Sequence, residues 1–213
     1  PELVKLIRER GGIMATGHIG MWQVGPFLAE WREMPPFYMA RAEEPNPLVQ
    51  QWEQKFRDRL RIIYTTGSPF SALTIAKVLR EGSLVGMQID RVLGDSAVTV
   101  QMCGRPVRFP IGPALLSRVT EAPLIPSFFA IDDSGDKPKL VHHVGPAIFV
   151  EKTRDRDADV RRAVEQLVAV YEAMVRRYPT QWYQFFDFFD QPEAVVALDA
   201  APPRPLAPSA TER

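Results

Sequence analysis

The feature that most constrains this chain is a histidine between two glycines, placed directly after an apolar run. Residues 12–16 (Gly-Ile-Met-Ala-Thr) have the composition of a buried strand, and Gly17 to Gln23 read Gly-His-Ile-Gly-Met-Trp-Gln. The glycines allow a sharp turn, and residues 21–24 predict the first turn of a helix. Open α/β sheets place their functional groups where a buried strand ends and a helix begins. The segment therefore predicts such a sheet, with His18 at its functional edge.

Strands and helices alternate along the rest of the chain. The patterns predict strands at 12–16, 37–40, 61–64, 84–89 and 123–131, and helices at 2–10, 21–32, 47–59, 69–81, from 112 and over 160–178. This alternation indicates an α/β fold with a mostly parallel sheet. At 213 residues the length suits one domain, which we place over residues 1–192. Residues 193–213 are rich in Pro and Ala and predict a disordered tail.

Composition excludes several classes of protein. With 26 basic and 26 acidic residues, the chain offers no electrostatic argument for nucleic-acid binding. The single cysteine excludes an internal disulfide and suits a reducing compartment. The sequence contains no run of 18 apolar residues, so it predicts no transmembrane helix. His142 and His143 are adjacent and would point to opposite faces of a strand, so they predict no metal site.

Position 23 is where a partner for His18 is expected, because a helical turn brings residue 23 back toward the ring. A carboxylate there would stabilise the imidazolium, whereas the amide of Gln23 brings no charge. Three interpretations stay open: a natural site in which another acid serves His18, an engineered substitution, or a natural pseudoenzyme. Asp90, at the end of the apolar strand 84–89, is the best candidate for a second acid. The alternative is an ordinary strand-end carboxylate.

The His-x4-acid spacing resembles the motif of the glycerolipid acyltransferase superfamily. The wording is closest to its lipid A late acyltransferase branch, the lauroyl and myristoyl transferases, whose usual form is Gly-His-Phe-Gly-Asn-Trp-Glu. Further segments follow in the order of that branch: Met39-Ala40-Arg41 with Asn46-Pro47-Leu48, Arg57-Asp58-Arg59, Gly86 to Arg91, and Phe109 to Arg118. The resemblance covers roughly residues 11–190.

The resemblance implies a three-layer acyltransferase fold and a transfer reaction. A fatty acyl chain would move from a thioester, on acyl carrier protein or coenzyme A, to a hydroxyl of a glycolipid, phospholipid or lipid A-like acceptor. His18 would be the general base, and the family also places an aspartate at the position of Asp90. No metal or redox cofactor is implied. We expect a pocket for a fatty chain beside these residues.

The resemblance also suggests residues that bind substrate. Arg41 and Arg57 match arginines of the family, and guanidinium groups suit phosphate on the acceptor or on the pantetheine arm of the donor. Arg91 is a weaker candidate. The helix that begins at Gly112 offers backbone N–H groups for an oxyanion or a phosphate. The alternatives are surface charges for the arginines and a plain strand-to-helix turn at Gly112.

The expected location is the cytoplasmic face of a bacterial inner membrane. Members of the resembled family usually carry a hydrophobic anchor before this point, and Pro1 stands where a start methionine would. We therefore expect this chain to be a fragment of a protein that is bound to the membrane peripherally or through a segment absent from the chain. The aromatic residues 182–189 predict a core strand, and the alternative is a surface that faces lipid. Two rival functions remain: a non-catalytic acyl- or lipid-binding relative, and a thioesterase-like hydrolase.

Overall fold

The computed structural model describes residues 2–27, 34–43, 46–55, 61–65, 70–92 and 96–190. The strands are Gly12–Thr16 (β1), Phe37–Arg41 (β2), Arg61–Tyr64 (β3), Leu84–Gln88 (β4), Ala97–Met102 (β5), Arg105–Pro110 (β6), Leu124–Asp132 (β7) and Lys139–Val144 (β8). The helices are Glu2–Arg10 (α1), Pro47–Lys55 (α2), Ser71–Arg80 (α3), Gly112–Thr120 (α4) and Arg156–Arg177 (α5), with 3-10 turns at Trp22–Val24 and Pro179–Gln181. Within these ranges, every helix is too short or too polar to cross a bilayer.

The main sheet has the strand order β3-β2-β4-β1-β7-β8. All neighbouring pairs are parallel except β7 and β8, which are antiparallel. Strand β1 lies inside the sheet between β4 and β7, and all five of its residues are buried. A central parallel strand is covered on both faces, which explains its unbroken apolar run. The predicted α/β class with a mostly parallel sheet is confirmed.

Successive residues of β1 point into different apolar clusters. Ile13 and Ala15 belong to a cluster that includes residues of α3 and α5, whereas Met14 packs with Ile7 of α1 and with Phe129 of β7. This alternation follows from the two-residue period of a strand. Helices therefore cover both faces of the sheet, as the three-layer expectation requires.

Strands β5 and β6 form a hairpin in a segment for which the sequence patterns predict no strand. Their antiparallel register ends at Met102 opposite Arg105, so the turn consists of Cys103 and Gly104. Both turn residues have positive φ, 53° and 76°, as a type I′ turn requires. The hairpin packs against α5, where the rings of Phe109 and Tyr171 meet edge to face with centroids 5.9 Å apart.

The aromatic segment near Trp182 differs from its prediction. The core-strand prediction is wrong, because apart from one bridge between Ile19 and Trp182 these residues are irregular. Phe188 is buried, but Phe185 is 87% and Phe186 is 41% exposed. The side chains of this segment do not alternate between buried and exposed positions as those of a strand would, because the segment contacts loops and side chains instead of pairing along a neighbouring strand.

Some predictions fall on residues that the structure does not describe. The helix predicted over 21–32 opens with the 3-10 turn Trp22–Val24, and residues 28–33 lie outside the described ranges. The helix predicted over 47–59 is seen as Pro47–Lys55, and 56–60 lie outside. The predicted tail, 193–213, also lies outside, so the domain boundary stays a prediction.

Candidate active site

Strand register brings His18 and Asp90 together. In the parallel pair of β1 and β4, Thr16 lies opposite Gln88. His18 and Asp90 each lie two residues after this pair, so their side chains meet at the carboxyl edge of the sheet. His18 Nδ1 lies 2.8 Å from Asp90 Oδ1. Both residues are buried, at 7% and 1% exposure.

Asp90 accepts hydrogen bonds at both carboxylate oxygens. Oδ2 accepts from the backbone N–H of His18 at 2.6 Å, from the hydroxyl of Tyr171 at 2.8 Å and from the side-chain amide of Gln184 at 2.6 Å. A buried carboxylate is costly unless such donors replace water. Among the described residues, the groups that donate to the carboxylate of Asp90 carry no permanent charge.

This network selects the tautomer of His18. A carboxylate that receives only donors accepts from the ring at Oδ1, so the assigned proton of the neutral imidazole sits on Nδ1. The lone pair is then on Nε2, the nitrogen that a general base uses. The ring also packs edge to face on Trp22, with centroids 5.0 Å apart. An oriented imidazole beside a fixed carboxylate can accept a proton and hold the resulting charge.

Tyr171 supplies one of the donors from helix α5. Burial, followed by the negative charge of Asp90, raises the pKa of the Tyr171 hydroxyl far above its ordinary range. The hydroxyl therefore stays protonated and donates. It also accepts a hydrogen bond from the indole N–H of Trp182 at 2.7 Å.

The two glycines around His18 are required by close approach. A Cβ at Gly17 would collide with the ring of Tyr171 and lie 2.9 Å from Asp90 Oδ2. Gly20 has a φ of +58°, and a Cβ there would collide with the carbonyl oxygen of Phe129. That same oxygen accepts from the Met21 N–H at 2.7 Å. The turn is thereby fixed against β7, which holds the backbone on both sides of His18.

Gln23 does not fill the expected role. Its side chain is exposed, and among the described residues no hydrogen bond joins it to the His18 ring, whose partner is Asp90. The hydrogen bond expected between Gln23 and His18 is therefore not formed. The reason is geometric: the chain after Gly20 enters a 3-10 turn at Trp22–Val24, which places the ring of Trp22, rather than residue 23, against His18.

The remaining candidates lie in different places. Arg41 ends β2 at the carboxyl edge of the sheet and donates to the Ala42 carbonyl at 3.2 Å. Arg91 follows Asp90 and is exposed, with its guanidinium 5.8 Å from the ring centre of Phe186. Gly112 begins α4 as predicted, and no described hydrogen bond connects it to His18 or Asp90. Arg57 lies outside the described residues.

Sequence reasoning missed Tyr171, Trp182 and Gln184 as site residues. Tyr171 lies within the helix predicted over 160–178, and Trp182 and Gln184 lie within the segment 182–189 that is predicted as a core strand. A signal was present, because Gln184 is a polar side chain inside an aromatic run and a buried amide needs partners. The phenol of Tyr171 on an apolar helix face carries the same requirement.

The other histidines serve β8 and its neighbours. His142 lies 3.2 Å from Ser127 Oγ and stacks on Phe129, while His143 lies 2.9 Å from the Tyr178 hydroxyl. Burial lowers the pKa of His143, and the nearby charge of Arg177 acts in the same direction. Within the described part of the chain, no group of three or more His, Cys, Asp or Glu is arranged to hold a metal ion.

A surface cavity of about 280 Å³ lies near the end of β7, and its lining contains none of the predicted site residues. It is lined by Asp132, Asp133, Ser134, Arg177, Tyr178, Pro179, Thr180 and Gln181. The volume of this cavity is slightly below the roughly 300–1,000 Å³ typical of ligand pockets. A fatty-chain pocket beside His18 stays a prediction, since residues 28–33, 56–60 and 93–95 lie outside the described ranges.

Comparisons with known proteins identify relatives among acyltransferases. The chain is 25% identical over 194 residues to a phosphatidylinositol mannoside acyltransferase of Mycolicibacterium smegmatis, covering 89% of this chain and 58% of that protein. It is also 25% identical over 178 residues to a phosphatidylinositol mannoside acyltransferase of Mycobacterium tuberculosis H37Rv, covering 81% and 52%. The chain thus spans little more than half the length of the curated relatives it matches.

A family model decides the classification. The model described as bacterial lipid A biosynthesis acyltransferase matches residues 2–191. This range contains β1, His18, Asp90 and α5, so the match includes the whole described site. The chain therefore belongs to the bacterial lipid A biosynthesis acyltransferase family.

Proposed function

We propose that this protein transfers a fatty acyl chain from a thioester to a hydroxyl of a lipid or glycolipid acceptor, with His18 as the general base. The observation that carries the proposal is the 2.8 Å contact between His18 Nδ1 and Asp90 Oδ1. It leaves Nε2 as the nitrogen that accepts a proton. Asp90, and not Gln23, is the orienting acid in this proposal.

The proposed chemistry balances without an added cofactor. Nε2 takes the proton of the acceptor hydroxyl while its oxygen attacks the thioester carbonyl, which forms a tetrahedral oxyanion. Collapse of this intermediate breaks the carbon–sulfur bond, and the imidazolium returns the proton to the departing thiolate. Asp90 stabilises the imidazolium between the two steps, when His18 carries a positive charge.

Substrate class is inferred from the family and from charge. Acyl carrier protein or coenzyme A is the proposed carrier of the thioester, and the relatives' names favour a glycolipid or phospholipid acceptor. Arg41, Arg57 and Arg91 are the proposed contacts for phosphate on either substrate. The N-terminus of α4 at Gly112 is a proposed site for an oxyanion or a phosphate.

The proposed workplace is the cytoplasmic face of the bacterial inner membrane. Phe185 and Phe186, at 87% and 41% exposure, directly follow Gln184, which touches Asp90. Exposed aromatic side chains beside a site for a lipid substrate suit insertion at a bilayer surface. The double change Phe185→Ser and Phe186→Ser should reduce flotation of the protein with anionic liposomes by several fold.

A matched control exists for the flotation experiment. Phe149 is 52% exposed and lies beside the N-terminal part of α5, among residues that include Asp159. Phe149→Ser removes a similar apolar area and should leave flotation unchanged. Equal loss in both proteins, or no loss in either, contradicts a bilayer-facing role for Phe185 and Phe186.

The transfer proposal is tested with the full-length protein, acyl carrier protein loaded with a labelled fatty chain, and a lipid extract as acceptor. Labelled lipid supports transfer, whereas free fatty acid without labelled lipid supports the hydrolase. Tight binding without turnover supports a non-catalytic relative. His18→Ala should abolish labelled lipid, and activity unchanged in this variant rejects the general base.

A further inference from the structure

The hydroxyl of Tyr171 lies between two partners of fixed hydrogen-bonding type. The indole N–H of Trp182 is 2.7 Å away, and Asp90 Oδ2 is 2.8 Å away on the other side. An indole N–H can only donate, and a carboxylate can only accept. The hydroxyl must therefore accept from Trp182 and donate to Asp90.

The ring of Tyr171 is held from several sides. It is 0% exposed and contacts Phe109 and Phe128, with ring centroids 5.9 and 6.0 Å away. Gly17 lies so close that even a Cβ would collide with the ring. A phenol packed in this way cannot swing its hydroxyl away, so the carboxylate cannot lose this donor without repacking.

The other side-chain donor on Oδ2 is held less tightly. Gln184 donates at 2.6 Å, but it is only half-buried and belongs to the irregular segment after Gln181. Its amide oxygen is buried and has no hydrogen-bond partner among the described residues. Tyr171 is therefore the donor whose position depends on the core rather than on this segment.

We propose that Tyr171 is a positioning residue for the acyl transfer. Its hydroxyl orients Asp90 toward His18 and partly neutralises the negative charge of the carboxylate, and Trp182 fixes the direction of the hydroxyl. This proposal rests on the proposed function. A donor on Oδ2 keeps Oδ1 turned to the ring. It also weakens the hold of Asp90 on the imidazolium, which must give its proton back in the second step.

Tyr171→Phe removes the donor and keeps the ring. Expected results are a fall in kcat of about tenfold with little change in KM, and an acid limb of the kcat/KM profile displaced upward by about half a pH unit. The displacement follows because an undonated carboxylate stabilises the imidazolium more strongly. Among the described residues, the titratable groups that touch Asp90 are His18 and Tyr171.

A second readout needs no activity. The Nδ1–H proton of His18 should give a downfield NMR signal, which should move further downfield in Tyr171→Phe as the bond to Asp90 shortens. Trp182→Phe should produce the same changes to a smaller extent, because the hydroxyl stays but loses its orienting donor. Trp182→Phe also serves as the test if Tyr171→Phe does not fold.

Tyr178→Phe is the matched control. Tyr178 follows the end of α5, and its hydroxyl lies 2.9 Å from His143 rather than near Asp90. All three readouts should stay at wild-type values in this variant. A loss of kcat in Tyr171→Phe without a displaced acid limb or proton signal overturns the positioning role. If Asp90→Asn is fully active, the proposed function fails; if only Tyr171→Phe is unchanged, this inference fails alone.

Discussion

Two buried carboxylates, Asp90 and Asp159, have the same exposure and different surroundings. Each is 1% exposed, and each accepts four hydrogen bonds from described residues. Asp159 accepts from the guanidinium groups of Arg118 and Arg162 and twice from Thr153. Its negative charge is therefore balanced permanently, where the end of α4 meets the beginning of α5.

Within the described ranges, Asp90 accepts hydrogen bonds from groups without a permanent charge: the ring and backbone N–H of His18, Tyr171 and Gln184. Its cationic partner exists only while His18 is protonated. Hydrogen bonds alone make burial of a carboxylate tolerable, whereas the charge of the donors decides what the carboxylate can do. The permanent cations around Asp159 give it a structural role, whereas the neutral donors around Asp90 leave its negative charge free to stabilise a transient imidazolium.

The largest expected effect is on activity at Asp90. Asp90→Asn should lower kcat by about 10³ to 10⁴, because an amide neither fixes the ring tautomer nor stabilises the imidazolium. The melting temperature should change by only a few degrees, since the other donors keep one acceptor. Single-turnover transfer and a thermal melt measure the two quantities, and a near-normal kcat would contradict the role assigned to Asp90.

The second expected effect is on stability at Asp159. Asp159→Asn leaves two guanidinium groups without their buried counter-charge and should lower the melting temperature by roughly 5 °C or more. Acyl transfer below the melting temperature should stay within about twofold of wild type. A loss of kcat as large as that of Asp90→Asn would remove the distinction between the two carboxylates.

The third expected effect is on the pH dependence of stability. Burial opposes ionisation of Asp159, but hydrogen bonds from Thr153 and Arg118 outweigh it and lower the pKa of the carboxyl. A lowered pKa contributes stability above the unfolded value of about 3.9, and this is lost as pH falls through the folded value. The unfolding free energy should therefore drop below about pH 4, less steeply in Asp159→Asn, as denaturant melts would measure.

The smallest expected effect is at Gln23. Because Gln23 is exposed and Asp90 already binds the ring, Gln23→Glu should raise transfer by less than about threefold. An exposed charge in water contributes little to an imidazolium that already has a buried partner. A gain of tenfold or more would mean that position 23 orients His18, and the role assigned to Asp90 would have to be revised.

The central elements of the fold could be predicted because their signals are local. The apolar run of β1 and the helical periodicity of α5 depend on neighbours within a few turns of chain, and both elements form where expected. Strand β8 and the hairpin of β5 and β6 are absent from the predicted strands. Strand β8 is held by pairing with β7, and the hairpin by its own pairing and by contact of β5 with α5, rather than by strong local patterns.

The site was predictable only in part. Local patterns were enough to predict the strand, the turn at Gly17 and Gly20, and thus the place of His18, because glycine conformations and apolar runs act over short distances. The sequence also named Asp90 as a candidate without excluding Gln23. The choice between Asp90 and Gln23 depends on the folded chain, because the register of β1 and β4 joins residues 72 positions apart and α5 brings Tyr171 to a carboxylate 81 positions away. Such contacts depend on packing of the whole sheet, which no local pattern encodes.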